Sequence, residues 1–499
     1  MEQVASALLA FPPQDSQPKG TPDAQNEAYH KAATLHVQKL RELIKDRGRD
    51  LVLHSNNLLS VLDPATHSLS YLAVVYKLSL PTISTDVPRG FVHEKLRTIL
   101  TKLDGRQCRY AGYLLKDLLN AVAGGTLSLP PPVAVEVLSS ALRSLDPSGR
   151  MFTHLHLPLA KLAYESGAIE PALPTINSDI VFYPGMGSSD HFYYYVSDMT
   201  LAPPFYMSVD TGLTENVTGA DVVEYNMLCG LIHCARRDWE KAHAAFQQVA
   251  SHPTKENGCS PVMVDGYKKG ILVGLLAKGV ASAEVPQVTA FVNSAYFTAG
   301  KEYAALATAF ASDDVQQLIR EAHEHSQLWE DDGNAALLGE VLASYQKWRI
   351  LSLRDVYTKL SLPEIRRQTK SGETGEELPT DEDVETIVQN MIVSGMLSGV
   401  IEKNDDGTKF LTFLPAGTEL SEDEFARELS GAQQQVESVR ALLKATNRRL
   451  ATSKQYIKWA IREDRRDKTV DTHETTPAFP YDSQLMDEED LMGGIEASG

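Results

Sequence analysis

DEDVETIVQNMIVSGMLSGVIEKNDDG, residues 381–407, is the stretch that decides the fold of the C-terminal half. Its apolar residues Val384, Val388 and Met391 recur at the spacing of one helix face, behind an N-cap at Thr380. The helical pattern stops at a pair of glycines. Two runs with alternating apolar residues, VIEK and KFLTFLP, then flank an Asp-Gly turn. The stretch therefore predicts a helix that leads directly into a β-hairpin over residues 400–414.

Working upstream, two capping boxes precede this helix. Ser352 is followed three residues later by Asp355, and Ser361 is followed by Glu364. Each box predicts the start of a short helix. Three helices followed by a β-hairpin make a winged helix, which we assign to residues 348–416.

Further upstream the pattern is one of helical hairpins. Residues 220–251 predict two helices that meet at an Arg-Arg-Asp turn, with Gly230, Ala242 and Phe246 at the small, small and aromatic positions of a tetratricopeptide-type (TPR-like) hairpin. Helical patterns continue at 261–280, 286–297, 300–310, 313–329 and 334–346, which favours a solenoid of stacked pairs.

The first part of the chain also has helical patterns, at 29–47, 106–123, 133–145 and within 150–173. Residues 180–207 are rich in aromatic residues, Gly and Pro, and their local structure stays open. We predict an N-terminal helical-repeat region at 1–215 and a TPR-like region at 216–347. The predicted fold class is an all-α helical-repeat solenoid, followed by a winged helix and a long C-terminal helix.

Downstream of the hairpin, residues 421–466 predict that long helix, within a region that spans 417–466. Its apolar residues alternate by four and three, which is a heptad seam that requires a partner helix. We expect subunit contacts at this seam and at the hairpin, through Phe425, Leu429, Val436, Val439, Leu443, Leu450, Ile457, Phe410 and Phe413. The tail, 467–499, has nine acidic residues and one basic residue, and we expect it to be disordered.

The charge of the chain argues against nucleic-acid binding. The net charge is −19, and residues 371–402 carry eight acids with no Lys or Arg. A winged helix that reads DNA needs basic and amide side chains on its third helix, so the acids of this one would meet phosphates head-on. The single basic stretch, 440–466, is interpreted as the solvated face of a bundled helix. We expect neither nucleic acid nor a membrane as a partner, and no signal peptide.

Two sets of side chains have residue types that occur in metal sites. His154 and His156 begin like a JAMM-type zinc site, but the two further ligand positions hold Tyr164 and Gly167. The set Cys229, His233, Cys234 and Cys259 has zinc-binding residue types but matches no common zinc spacing. We therefore predict no catalytic residues, no metal and no cofactor, while a hydrolase or metalloprotein that uses these residues is the alternative of a different class.

The order of a helical solenoid, an acidic winged helix and a long C-terminal helix resembles the PCI-domain family. The likeness is carried by LSLRDVYTKLSLPEIRR (351–367) and by residues 381–407. The segments 54–78, 176–199 and 224–254 resemble, more specifically, the members of this family in the COP9 signalosome. PCI-domain proteins also scaffold the proteasome lid and translation initiation factor 3, and these remain the alternative assemblies.

The resemblance implies a non-catalytic scaffold. The signalosome removes the ubiquitin-like modifier Nedd8 from cullin-RING ubiquitin ligases, and its JAMM zinc site is on another subunit. In such assemblies the winged helices associate edge to edge and the C-terminal helices form one bundle. The implied partners are other PCI and MPN subunits of the signalosome and, through the complex, cullin-RING ligases. The expected location is the cytoplasm and the nucleus.

Overall fold

In the computed structural model, the description covers residues 2–12, 22–80, 87–184, 196–198, 201–254, 258–282, 284–286, 288–312, 314–404, 407–414, 422–452, 456–457 and 461–462. The chain separates into two compact units, Met1–Leu420 and Ser421–Gly499. Within the described residues, no helix is both long and apolar enough to cross a membrane.

The N-terminal part of the first unit is helical, as predicted. Its most deeply buried long helix is Ser68–Ser79, in which eight consecutive residues from Ser68 to Val75 are buried. Because that helix is enclosed on all sides, its neighbours form the core around it. The helices of this part are α1 Glu2–Leu9, α2 Pro22–Asp46, α3 Gly48–Leu53, α4 Ser55–Val61, α5 Ser68–Ser79, α6 Arg89–Lys102, α7 Gly105–Cys108, α8 Gly112–Ala123, α9 Pro131–Leu145, α10 His156–Ser166 and α11 Leu173–Ile176.

The predicted helical repeats follow in the middle of the chain. They are α12 Gly219–Ala235, α13 Trp239–Ala250, α14 Pro261–Lys278, α15 Ala290–Ala299, α16 Lys301–Ala311, α17 Val315–Glu324, α18 Ser326–Asp331 and α19 Ala335–Ser352. The segment predicted as one helix over 313–329 is two helices, because His325 leaves the helical conformation between them. The break allows the indole N–H of Trp329 to donate to the carbonyl of Ala322 at 2.9 Å, which satisfies both groups in the core.

The predicted TPR-like hairpin is confirmed in α12 and α13. Ala242 and Phe246 have no exposed surface, and the Phe246 ring lies directly against Gly230. A Cβ atom at Gly230 would lie 2.5 Å from the ring, so only glycine permits the two helices to approach this closely. The small-small-aromatic pattern in the sequence therefore acts through close packing of the two helices.

A three-stranded antiparallel sheet follows α19. Its strands are β1 Lys359–Ser361, β2 Gly399–Lys403 and β3 Lys409–Phe413, in the order β1-β3-β2. Two helices, α20 Leu362–Gln368 and α21 Asp381–Val393, lie between β1 and β2 in the sequence. Helices α20 and α21 and the hairpin of β2 and β3 match the predicted order, whereas strand β1 was not predicted. We call residues 359–413 the sheet module.

The capping predictions for this module have opposite outcomes. Ser361 donates its hydroxyl to Glu364 at 2.7 Å and so begins α20, as predicted. The capping prediction at Ser352 is wrong: Ser352 is the last residue of α19, and its hydroxyl donates to the carbonyl of Arg349. The short helix predicted there is present only as one 3₁₀ turn, Leu353–Asp355. Helix α19 continues to Ser352 because Ile350 is fully buried in the core of the sheet module, and this burial outweighs a local capping signal.

The second unit contains one long helix, α22, over Glu422–Thr452. The helix predicted over 421–466 is confirmed over this range. Residues 453–455, 458–460 and 463–466 lie outside the described residues. So does the whole predicted tail, 467–499.

Candidate subunit-interface surfaces

The seam of α22 lies on the surface of the chain. Phe425, Leu429, Val436, Val439 and Leu443 are each between 58% and 62% exposed. Ile457, further along the same pattern, is 43% exposed, and the side chain of Leu450 lies outside the described residues. Five large apolar side chains at spacings of three, four and seven form one apolar stripe. Exposed apolar surface of this extent is typical of a protein–protein contact.

The first turn of α22 contains the acidic residues Glu422 and Asp423. Negative charge at the start of a helix interacts favourably with the helix macrodipole. These two residues therefore favour the start of α22 at Glu422.

The hairpin offers a different kind of surface. Strand β3 is the middle strand of the sheet, paired with β1 on one side and with β2 on the other. Within the described residues, β2 pairs only with β3, so its outer backbone groups form a free sheet edge. Val400 on this strand is 43% exposed. The edge predicted for the hairpin is thus formed by β2.

The two hairpin phenylalanines have different surroundings. Phe410 is half-buried, with the Lys359 ammonium 5.3 Å from the centre of its ring. Phe413 is 7% exposed and packs in the core of the sheet module, so its side chain is not available to a partner. The prediction that Phe413 contacts another subunit is therefore corrected. The side chain points inward because Phe413 alternates along the strand with outward-facing Thr412 and shares the inner face with Leu411.

An ion pair crosses the outer strands of this sheet. The Lys359 ammonium on β1 donates to Glu402 on β2 at 2.6 Å, and the Thr412 hydroxyl donates to the same carboxylate at 3.2 Å. The hydrogen bond from Lys359 lowers the pKa of Glu402. Charged side chains on an edge strand restrict which strands can pair with it. Glu402 is thus a charged residue on the β2 edge strand whose carboxylate is already paired within the sheet.

His154 and His156, the two candidate metal ligands, form contacts within the protein. His156 is buried, accepts the backbone N–H of Thr153 at 3.0 Å and stacks on Phe152, and burial lowers its pKa to about 4. His154 donates from Nε2 to the Asn120 side-chain oxygen at 2.9 Å and accepts the N–H of Glu215 at 3.2 Å. Both ring nitrogens of His154 are therefore occupied by hydrogen bonds, and these histidines fix the packing of α10.

The cysteine set is also part of the packing. Cys229 is buried and Cys234 half-buried, and burial raises the pKa of each thiol to about 12. A thiol must lose its proton to bind zinc, so such a pKa opposes metal binding. Among the described residues, no three His, Cys, Asp or Glu side chains are placed to hold a metal ion.

Comparison with known proteins places the chain in a family. A family model described as "COP9 signalosome complex subunit 3, N-terminal helical repeats" matches residues 30–202 and 205–293, more than half of the chain. A Neurospora crassa protein named COP9 signalosome complex subunit 3 is 35% identical over 506 residues, which cover 100% of both chains. The chain belongs to the COP9 signalosome subunit 3 family.

More distant relatives carry the same name. The COP9 signalosome complex subunit 3 of Emericella nidulans is 28% identical and covers 76% of each chain, and that of Arabidopsis thaliana is 21% identical over 71% of this chain and 73% of its own. The family model ends at residue 293, inside α15. The sheet module and α22 of this COP9 signalosome subunit 3 family member are covered by the full-length match to the Neurospora protein.

Proposed function

We propose that the chain is a non-catalytic scaffold subunit of the COP9 signalosome, the complex that removes Nedd8 from cullin-RING ubiquitin ligases. The observation that carries this proposal is the exposed apolar stripe of α22, with Phe425 and Leu443 both 58% exposed. A stripe of heptad spacing is stable in water only when another helix covers it. The chain therefore contributes α22 to a helical bundle with other subunits.

A second surface supports the same role. The free edge of β2 presents unpaired backbone N–H and C=O groups, which an added strand from a neighbouring module satisfies. The implied neighbours are other PCI and MPN subunits. The JAMM zinc site belongs to another subunit, in keeping with the hydrogen bonds that occupy His154 and His156 here. Cullin-RING ligases are contacted through the complex, in the cytoplasm and the nucleus.

Substitutions on the stripe test this proposal. In the full chain, Val436→Asp with Leu443→Asp places two charges on the seam, and co-expression with the remaining signalosome subunits measures incorporation. We expect the doubly substituted chain to be lost from the purified complex, because the buried carboxylates have no partner. The matched control is Gln434→Asp, which adds a charge on the opposite face of the same helix.

Two results would refute the role. Incorporation of the double variant at the wild-type level would exclude the seam as the contact. Mass spectrometry of the proteins that copurify with the wild-type chain separates the assemblies. Recovery of proteasome-lid or initiation-factor-3 subunits in place of signalosome subunits would assign the chain to the other machine.

A further inference from the structure

The repeats and the sheet module share one helix. Tyr345 on α19 is buried in the core of the repeats, and Ile350, just over one turn later, is buried in the core of the sheet module. One helix anchored in both cores transmits orientation between them. Helix α19 also contacts α21 of the module. Contacts at the end of one helix leave rotation about that end, so a contact further back along α19 is needed to fix the angle.

The second contact is the loop between α20 and α21, residues 369–379, which we call the clasp loop. It turns back onto α19, where Gly372 is buried against the backbone of Leu342 and the Cβ of Tyr345. A Cβ at Gly372 would lie 2.8 Å from that Tyr345 atom and closer still to the Leu342 carbonyl oxygen. Helix backbone cannot give way, so the contact is open to glycine alone.

The same loop also contacts α17. Gly375 has a φ of 73° and is buried, and the Gln316 side chain donates to its carbonyl at 3.4 Å. A Cβ at Gly375 would lie 2.5 Å from Nε2 of Gln316 and 2.9 Å from Cδ1 of Ile319. The clasp loop thus lies against two helices of the repeats through two glycines.

Both ends of the clasp loop are held as well. At its start, the Gln346 side chain on α19 donates to the Thr369 hydroxyl at 3.3 Å, and both residues are buried. At its end, Arg366 donates to the carbonyl of Pro379 at 3.3 Å and pairs with Asp381 at the same distance. Within the loop, the N–H of Gly375 donates to the Ser371 carbonyl at 2.9 Å.

We propose that the clasp loop fixes the angle of the sheet module on the repeats, and that Gly372 and Gly375 are positioning residues for subunit assembly. Release of the loop leaves both cores folded but lets the module pivot on the end of α19. The β2 edge then faces its neighbour in only a fraction of the molecules. This inference rests on the proposed scaffold function, because it requires that the module meets another subunit.

The test combines two measurements on the full chain with Gly372→Val. Hydrogen–deuterium exchange of residues 369–379 is expected to quicken by about tenfold or more as the loop lifts, with α21 unchanged. Affinity for the remaining signalosome subunits is expected to fall by about tenfold if a tenth of the molecules keep the competent angle. The control is Gly339→Val, on α19, where an added Cβ meets no atom within 4 Å.

Every outcome of these two measurements either supports or overturns the positioning role of the clasp loop. Faster exchange in the loop with weaker binding supports the proposal. Faster exchange with binding within about twofold of wild type overturns it and leaves the scaffold role intact, since a twofold change is only about 0.4 kcal/mol. Unchanged exchange in the loop also overturns it, because the contact at Gly372 is then not tight. If the wild-type chain binds no signalosome subunit, the scaffold role fails and the positioning role fails with it.

Discussion

The helices α14 and α22 are both long and contain many apolar residues, but most of those of α14 are buried and those of the α22 seam are exposed. Helix α14 is apolar on nearly every side and eleven of its residues are buried, including Leu275 with no exposed surface. Helix α22 has a single apolar stripe, and there Leu443 is 58% exposed. A helix apolar all round must be enclosed by its own chain, whereas a single stripe can be covered by one partner from another chain. The width of the apolar surface therefore distinguishes an internal core from an interface.

The largest expected effect is at the centre of the repeats. Phe246→Ala removes the ring that packs against Gly230 and leaves a cavity, so we expect a loss of about 3–5 kcal/mol in the free energy of unfolding. Urea unfolding followed by tryptophan fluorescence measures it. The control is Phe291→Ala on α15, where Phe291 is 58% exposed and the expected change is within about 0.5 kcal/mol. Equal losses in the two variants would break the comparison between covered and uncovered apolar residues.

Acid is expected to destabilise the N-terminal helices. Burial lowers the pKa of His36 and of His156 to about 4, so both are neutral when folded at pH 5, whereas the unfolded chain binds protons below about pH 6.5. Stability therefore falls as the pH drops from about 6.5 towards 4, by about 2 kcal/mol for each histidine between pH 7 and pH 5. Residues 422–452 contain no histidine, so α22 lacks this source of acid sensitivity.

Urea titrations at pH 7 and pH 5 measure this loss. In His156→Gln, the difference in unfolding free energy between pH 7 and pH 5 should shrink by about 2 kcal/mol, the contribution expected from His156. An unchanged difference would show that His156 is not held neutral by burial.

A smaller effect is expected at the start of α14. The Ser260 hydroxyl caps this helix by accepting the N–H of Met263 at 3.3 Å. Ser260→Ala removes the cap and should cost about 1 kcal/mol in unfolding free energy. The control is Ser294→Ala, at an exposed position inside α15, which should not destabilise the chain. A loss at Ser294 equal to that at Ser260 would contradict the capping role.

The smallest expected effect is on the seam itself. Leu443→Ala should change the unfolding free energy of the isolated chain by at most about 0.5 kcal/mol, because the side chain is already exposed. Leu275→Ala, the matched change on α14, should cost about 2–5 kcal/mol. A loss of that size at Leu443 would mean that the chain itself covers the seam, and the distinction between α14 and α22 would disappear.

Features that depend on residues close together in the sequence were predicted, and features that depend on distant residues were not. The hairpin of α12 and α13 was predicted because Gly230, Ala242 and Phe246 lie within one contiguous segment. Strand β1 was missed, since three residues are too few to show an alternating pattern, and it exists as a strand because β3 pairs with it about fifty residues later. Phe413 was predicted as a contact residue because it lies on the hairpin, and strand register turned its side chain into the core.

The sequence by itself determined the hairpin of α12 and α13 with its close approach at Gly230, the caps at Ser361 and Thr380, and the apolar stripe of α22. Periodicity and capping act among residues a few positions apart, so one sequence is sufficient to show them. Only the tertiary structure decided which strand of the hairpin forms an outer edge, that α19 is part of two cores, and that the clasp loop returns to α17 and α19 through Gly372 and Gly375. These contacts join segments that are far apart in the chain. Each segment packs for its own local reasons, so no pattern within one segment predicts which distant segment it will contact.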